Sequence, residues 1–212
     1  AVYVSGRMLV DGTTVKELEM NDDQPPTVSY AGSPNPLEGI GGSLGAKALN
    51  AVVPKALSLI APAERPRVTH QSGARQIDEL RANYAAAGVD GELTPFIEDT
   101  AQAYAAADLI VARAGASTVT EIAAVGAAAL FVPFPSAVDD HQTTNARFLV
   151  DAGGGWLVQQ TELTPELLAD LLQKTGRAAL MEKALKAKAM QKTEAVEAVV
   201  RACEELSHGR RS

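Results

Sequence analysis

Short apolar runs alternate with helical patterns between residues 43 and 160. Two of the runs, LIVAR at 109–113 and AALFVPF at 128–134, are apolar almost throughout and predict buried strands. Shorter strands are predicted at 67–70, 91–96 and 155–159. Helices are predicted between the strands, at 46–60, 74–88, 99–108, 116–126 and 140–153. Continuous apolar strands separated by helices are typical of a parallel sheet covered on both faces, so the predicted fold class is α/β with a doubly wound parallel sheet.

The two ends of the chain differ from this alternating middle. Residues 1–39 contain strand-like pieces at 1–4 and 27–30, separated by turn-forming residues. The sequence leaves open whether this segment supplies the first strand of the sheet, an added hairpin or a flexible lead. From Thr164 onward the pattern is helical, with an apolar stripe formed by Leu167, Leu168, Leu171 and Leu172. The predicted organisation is therefore an N-terminal segment at 1–39, a domain at 40–206 and a flexible tail at 207–212.

The composition of the chain argues against several classes of function and location. The chain has 212 residues, of which 46% are hydrophobic, enough for a buried core. Its formal net charge of -7 argues against a nucleic-acid partner, because nucleic-acid binders present basic surfaces to phosphates. The single cysteine, Cys203, allows no internal disulfide and fits a reducing compartment. No apolar run is long enough to cross a bilayer and no signal pattern opens the chain, so a cytoplasmic location is predicted.

Two loops contain the residue types that hold phosphate groups. In GIGGSLGAKALN several glycines precede a predicted helix, where backbone N–H groups and the positive helix end attract an anion. A plain tight connection explains the same glycines equally well. After the strand LIVAR, Gly115 permits a sharp turn, and Ser117 or Thr118 is predicted to cap the following helix. Two such loops in one domain favour a ligand that carries phosphate.

Several polar residues near these loops have two interpretations. Glu121 follows Thr118 at the spacing of a capping box, and it also suits the recognition of a vicinal diol such as a ribose. Gln142 and Asn145 are three residues apart on a predicted helix, so both amides share one face and suit sugar hydroxyls. Asp139 and Asp140 are predicted to cap that helix, and with His141 they form too small a set to predict a metal site. His70 and His208 have no evident partner in the sequence.

Three segments carry a resemblance to a known family. GGSLGAKALN at 41–50, the stretch from PFIED to LFVPFP at 95–135 and DDHQTTNARFLVDAGGGWLVQQ at 139–160 resemble the C-terminal half of the MurG family. Members are bacterial glycosyltransferases that add N-acetylglucosamine to the lipid-linked peptidoglycan precursor. The resemblance runs from about Gly39 to the C-terminus. It implies a GT-B enzyme of two Rossmann-like domains, peripheral on the inner face of the plasma membrane, whose C-terminal domain binds UDP-GlcNAc or UDP.

The resemblance also implies a donor-binding site, and its members are assigned by the part of the nucleotide sugar that each one meets. They are Ser43 for the diphosphate or the sugar, the backbone of Ile97 for the uracil, Ala116, Ser117 and Thr118 for the phosphates, Glu121 for the ribose hydroxyls, and Gln142 and Asn145 for the sugar. Gly42 and Arg113 are counted as donor-binding residues without an assigned part of the ligand. No catalytic residue, metal or cofactor is implied within this chain.

The chain departs from the family pattern at several points. Ser117 stands where members carry an apolar residue, and Ser136 stands where many carry histidine. The family's N-terminal domain, with its GGTGGH loop, has no counterpart here, so the proposed catalytic base and the acceptor-binding surface are missing. Whether the chain acts as an enzyme is therefore undecided at this stage.

Three functions remain open from the sequence. The first is a UDP-GlcNAc-binding donor domain with little or no transferase activity alone. The second is a chimeric or engineered scaffold that has lost nucleotide-sugar binding. The third is a transferase reconstituted by self-association or by a partner chain that supplies the missing N-terminal domain. Exposure of the surface between the two domains favours a homodimer in addition.

Overall fold

The computed structural model describes residues 27–30, 42–135 and 140–192. The strands in these ranges are β1 (Thr27–Tyr30), β2 (Arg67–Gln71), β3 (Glu92–Thr94), β4 (Leu109–Ala112), β5 (Ala128–Phe131) and β6 (Gly155–Leu157). The α-helices in the same ranges are α1 (Gly42–Ser58), α2 (Ile77–Ala87), α3 (Thr100–Ala105), α4 (Ala116–Val125), α5 (His141–Val150), α6 (Pro165–Lys174) and α7 (Arg177–Ala189). Predicted features at 1–4 and 207–212, and the side chain of Cys203, lie outside the described residues.

The strands form one parallel sheet in the order β3-β2-β1-β4-β5-β6. This is the order of a doubly wound Rossmann sheet, so the predicted α/β fold class is confirmed. β1 lies in the middle, with Val28 opposite Val68 on one side and Leu109 on the other. Of the N-terminal segment, residues 27–30 therefore supply a central strand of the sheet, which is one of the alternatives that the sequence left open.

Side chains on the central strands alternate between two cores. In β4, Leu109 and Val111 join the core formed with α1, α2 and α6, whereas Ile110 and Ala112 join the core formed with α3, α4 and α5. All four residues of β4 are buried, and so are all four of β5. Apolar side chains on both faces are what a sheet covered by helices on both sides requires.

Two helices end at the glycines that the sequence predicted, and one helix begins earlier than predicted. Gly88 and Gly126 end α2 and α4 with φ of 63° and 79°, the left-handed conformation that glycine adopts without strain. By contrast, α1 begins at Gly42 rather than at the predicted residue 46. Gly42 and Ser43 therefore lie in the first turn of α1, not in a loop before it. Glycine has low helix propensity, which is why the sequence pattern placed the start too late.

A proline inside α1 changes the hydrogen bonding between helices. Pro54 has no N–H and cannot donate to the carbonyl oxygen of Asn50 one turn earlier. The side chain of Asn83 on α2 donates to that oxygen instead, with Asn83 Nδ2 and Asn50 O 3.1 Å apart. The bond satisfies a buried carbonyl and ties α1 to α2.

The apolar stripe predicted after residue 164 is only partly buried. Leu168 is buried, and Leu171 and Leu172 pack against the same core. Leu167, in contrast, is 37% exposed, because neighbouring residues on a helix project about 100° apart and cannot all face one core. Among the residues that the structure describes, no helix is long and apolar enough to span a membrane.

Candidate functional site

The candidate site lies along the edge of the sheet where all six strands end. Because the sheet is parallel, the loops that follow the strands meet at this edge. The strand order reverses between β1 and β4, and ligands of doubly wound folds bind in the crevice at such a point. The connections after these two strands lead into α1 and α4, the two helices that the sequence predicted to hold phosphate.

The N-terminus of α4 offers main-chain donors at this edge. Gly115 is the N-cap residue and makes no side-chain cap, so the predicted capping by Ser117 or Thr118 is wrong. The helix begins before both residues, and Thr118 is buried within its first turn. The first amide with a described intrahelical acceptor is that of Val119, which donates to Gly115 O at 3.0 Å. The preceding amides, together with the helix dipole, form an anion-binding end.

Glu121 lies more than one turn inside α4. Since Gly115 is the N-cap, Glu121 is too far along the helix for a capping box, and that interpretation is wrong. Its half-buried carboxyl group has a pKa above the usual value because burial disfavours the charged form. The buried Tyr104 of α3 lies close enough for the Glu121 charge to add to the effect of burial in raising the Tyr104 pKa. A carboxylate with a raised pKa is a stronger hydrogen-bond acceptor, which suits hydroxyl groups.

Gln142 and Asn145 face the loops of this edge from α5. Gln142 Oε1 accepts a hydrogen bond from the Phe134 N–H at 2.9 Å, after β5. Asn145 Nδ2 donates to Ala114 O at 3.1 Å, immediately before α4. The two amides are half-buried and lie on the α5 face that the spacing predicted. Each amide therefore contacts a main-chain group of an adjacent loop through one of its two ends.

Arg113 lies under the loops rather than on their outer side. It is only 8% exposed, and its Nη1 donates to Val132 O at 2.9 Å and to Pro133 O at 3.1 Å. Its Nη2 donates to Gln160 Oε1, and the guanidinium lies 5.6 Å from the centre of the Phe134 ring. The sequence analysis counted Arg113 among the donor-binding residues, and the contacts described here are with protein groups of the loops after β5 and β6.

The loop that contains Ile97 is held by the end of β2. The Ile97 N–H donates to Gln71 Oε1 at 3.0 Å, and the Gln71 side chain is buried. Thr94 Oγ1 donates to the Phe96 carbonyl at 2.7 Å, and the Phe96 ring is 53% exposed beside Ile97. Sequence reasoning missed Gln71 and Phe96. A polar residue that ends a buried strand was the available signal for Gln71.

His70, beside Gln71, has partners that the sequence did not reveal. Its Nε2 lies 2.9 Å from Asn50 Oδ1, and its Nδ1 lies 3.1 Å from the Tyr84 hydroxyl. Asn50 Nδ2 donates to Gln76 Oε1 at 2.8 Å, so Asn50 Oδ1 is the acceptor and His70 Nε2 carries the proton. Burial lowers the pKa of His70 well below its usual value. The expectation that His70 lacks a partner is wrong.

The start of α5 differs in detail from the predicted cap. Asp140 is the N-cap residue, with a left-handed φ of 51°. Its carboxylate accepts a hydrogen bond from the Thr143 hydroxyl at 2.6 Å rather than from a main-chain amide. Asp139 and Ser136 lie outside the described residues. Within the described part of the chain, no group of three histidine, cysteine, aspartate or glutamate residues is arranged to hold a metal ion.

Comparison with known proteins identifies close relatives of the sequence. Residues 40–203 match the model of the glycosyltransferase family 28 C-terminal domain. A protein of Polaromonas sp. strain JS666 is 73% identical over 184 residues, covering 86% of this chain and 48% of that protein. It is named UDP-N-acetylglucosamine–N-acetylmuramyl-(pentapeptide) pyrophosphoryl-undecaprenol N-acetylglucosamine transferase. The match covers more of this chain than residues 40–212 alone can supply, so it includes part of the predicted N-terminal segment, which the sequence had left unmatched.

Solved structures show the same architecture. The crystal structure of Acinetobacter baumannii MurG is 43% identical with a TM-score of 0.74, covering 86% of this chain and 50% of that one. The spinosyn forosaminyltransferase SpnP is 13% identical with a TM-score of 0.56, covering 95% of this chain and 49% of that one, and it shares the fold alone. The chain spans about half the length of the relatives that it matches.

Proposed function

The chain belongs to the glycosyltransferase family 28 C-terminal domains and corresponds to the C-terminal half of MurG, and we propose that it binds UDP-N-acetylglucosamine as the donor half of a peptidoglycan glycosyltransferase. The observation that carries the proposal is the N-terminus of α4, which lies without a side-chain cap at the point where the strand order reverses. The ligand extends from there along the sheet edge in both directions.

The diphosphate meets the first turn of α4. The amides of Ala116, Ser117 and Thr118 are the donors, and the helix dipole favours the negative charge. Gly42 and Ser43, in the first turn of α1, supply a second positive helix end across the crevice. This arrangement also stabilises UDP as a leaving group, because preorganised donors face the charge that develops when the bond to the sugar breaks.

The uridine lies between Glu121 and the loop after β3. The Glu121 carboxylate accepts hydrogen bonds from the two ribose hydroxyls, and its burial strengthens those bonds. The Ile97 N–H already donates to Gln71 Oε1, so the Ile97 carbonyl oxygen is the group that accepts a hydrogen bond from the uracil N3–H. The exposed ring of Phe96 offers a flat apolar face beside it. The N-acetylglucosamine extends the other way, to the amides of Gln142 and Asn145.

Transfer of the sugar needs the rest of the enzyme. Positioning donor and acceptor together requires groups on both sides of a cleft, and this chain spans about half the length of its relatives. We therefore propose that the chain binds the donor but does not transfer the sugar by itself. The full protein would carry out an inverting transfer onto a lipid-linked acceptor at the membrane.

Calorimetric titration of the chain with UDP-GlcNAc and with UDP tests the proposal. Saturable binding of both ligands is expected, weakened about tenfold by Glu121→Ala because a charge-assisted hydrogen bond to the ribose is lost. Glu64→Ala removes an exposed carboxylate from the turn before β2, at the edge where the strands begin, and is expected to change nothing. Binding of CDP serves as a test of base recognition.

The outcomes separate the remaining hypotheses. A chain that is folded by circular dichroism yet gives no heat with either ligand would be a scaffold that has lost its nucleotide-sugar site. Binding that is as strong in Glu121→Ala as in Glu64→Ala and wild type would place the nucleotide elsewhere. Transferase activity of the isolated chain on a lipid-linked acceptor would favour reconstitution by self-association.

A further inference from the structure

Resting on the function proposed above, we propose that Arg113 is a positioning residue that selects for the sugar part of the ligand, not a phosphate-binding residue. Its guanidinium locks the loops after β5 and β6 into the arrangement that presents the Gln142 and Asn145 amides. On this view the residue governs the affinity for N-acetylglucosamine and leaves the affinity for UDP almost unchanged.

The first step of the argument is the set of contacts that Arg113 makes. Two of its N–H groups reach the consecutive carbonyls of Val132 and Pro133, and a third reaches the side chain of Gln160, which is 47 residues away in sequence. A residue that leaves the end of β4 thus holds the segments that leave β5 and β6. The guanidinium also lies over the Phe134 ring, so it contacts three successive residues of one loop.

The second step is that these contacts continue into a ring of hydrogen bonds. The Phe134 N–H donates to Gln142 Oε1, which connects the loop held by Arg113 to α5. Asn145 Nδ2, one turn later on α5, donates to Ala114 O. Ala114 follows Arg113 in the chain, so the ring closes on itself. The orientation of both amides therefore depends on where Arg113 holds the loop.

The third step is the chemistry of the side chain. The guanidinium is planar, remains charged and carries its donors in a fixed fork, which allows it to satisfy several carbonyls at once. A lysine keeps the charge but has a single nitrogen on a flexible stem, and it cannot bridge the Val132 and Pro133 carbonyls and Gln160 with the same geometry. Arg113→Lys therefore separates the loss of geometry from the loss of charge.

The position of the ring predicts which part of the ligand is affected. The proposed UDP contacts are the first turns of α1 and α4, the Ile97 loop and Glu121, and none of these belongs to the Phe134 to Gln142 connection. The proposed sugar contacts, in contrast, are both members of the ring. Loosening the ring therefore weakens UDP-GlcNAc binding without a parallel loss for UDP.

The test compares Arg113→Lys with wild type in two measurements on the full chain. The first is hydrogen exchange of the Phe134 amide, which needs no ligand. We expect it to be protected in wild type and to exchange at least tenfold faster in the variant, while the amides of β2 stay unchanged. The second is titration with UDP and with UDP-GlcNAc. We expect about a tenfold loss for UDP-GlcNAc and less than a twofold loss for UDP.

Two further variants control for charge and for folding. Arg81→Lys makes the same exchange at an exposed position on α2 and is expected to alter neither measurement. Gln160→Ala leaves Arg113 intact but removes one of its acceptors, and it is expected to shift both measurements in the same direction by a smaller amount. This variant keeps the test decisive should Arg113→Lys prove too unstable to study.

The proposal would be overturned by either of two results. Unchanged exchange of the Phe134 amide in both the Arg113 and the Gln160 variants would show that the ring does not depend on the guanidinium. If Arg113→Lys lowered the affinities for UDP and UDP-GlcNAc equally, and if this loss became smaller as salt was added, Arg113 would be a direct phosphate contact. Wild-type protein that protects Phe134 but binds neither ligand would contradict the proposed function, not the positioning role.

Discussion

Acidification should destabilise this domain through His70. The imidazole is fully buried, with Nε2–H donating to Asn50 Oδ1 and Nδ1 accepting from the Tyr84 hydroxyl. Adding a proton at Nδ1 would place a positive charge where solvent does not reach, and the Tyr84 hydroxyl would have to turn from donor to acceptor. Burial therefore keeps the pKa of His70 in the folded state well below the usual 6.5.

The sign and the size of the effect follow from linkage. Below about pH 6.5 the unfolded chain takes up a proton at this histidine, whereas the folded chain does not, so stability falls as the pH falls. Each pH unit in that range removes about 1.4 kcal/mol from the free energy of unfolding. Between pH 7.5 and pH 5 protonation of the unfolded chain alone makes this loss roughly 2 kcal/mol. Above pH 7 the contribution of His70 is constant.

Urea denaturation at several pH values measures this difference. His70→Gln removes the titrating group, so its free energy of unfolding should lose about 2 kcal/mol less than wild type between pH 7.5 and pH 5, whatever its absolute stability. Tyr84→Phe keeps the histidine and removes only the hydroxyl that donates to Nδ1. This variant should retain a pH dependence in the same direction. Identical pH profiles for wild type and His70→Gln would refute the reasoning.

Two further predictions concern backbone and helix geometry. Gly155→Ala should lower the free energy of unfolding by roughly 3 kcal/mol, because a Cβ there would lie 2.5 Å from the Ala129 carbonyl oxygen of the paired strand. Gly176→Ser, at a position with open space around it, should change the free energy of unfolding by less than about 0.5 kcal/mol. Equal unfolding midpoints for the two variants would contradict this. Thr164→Ala should cost about 1 kcal/mol, since its hydroxyl accepts the Leu167 N–H at 3.1 Å, and Thr164→Ser should restore the loss in the same denaturation assay.

The strands that the sequence predicted most securely are those buried on both faces. All residues of β4 and β5 are apolar and buried, so the pattern had no competing interpretation. β1 was harder to place because TVSY alternates polar and apolar residues and is followed by turn-forming residues. Its position in the centre of the sheet is determined by pairing with β2 and β4, which are far away in the sequence.

The features of the candidate site also differ in how far the sequence could predict them. The start of α4 was predicted as an anion-binding end from local sequence, and the structure places an uncapped helix end there. The partners of His70 and Arg113 were not predictable, since they lie 14 to 47 residues away on other elements. Local patterns indicate which atoms need a partner, but only the packing of elements decides which atoms supply one.

The polar groups at the sheet edge therefore fall into two sets, the side-chain amides that hold loops and the main-chain amides that start α4. Gln71, Gln142 and Asn145 use one end of each amide to hold a main-chain group of a neighbouring loop, so their orientation is set before a ligand arrives. The first-turn amides of α4 have no side-chain cap and point toward the crevice end of the helix. An edge with its side chains fixed and its helix end open loses little conformational entropy when a phosphate-bearing ligand binds. Affinity for the diphosphate should accordingly depend on α4, and affinity for the sugar on how firmly Arg113 holds the loops.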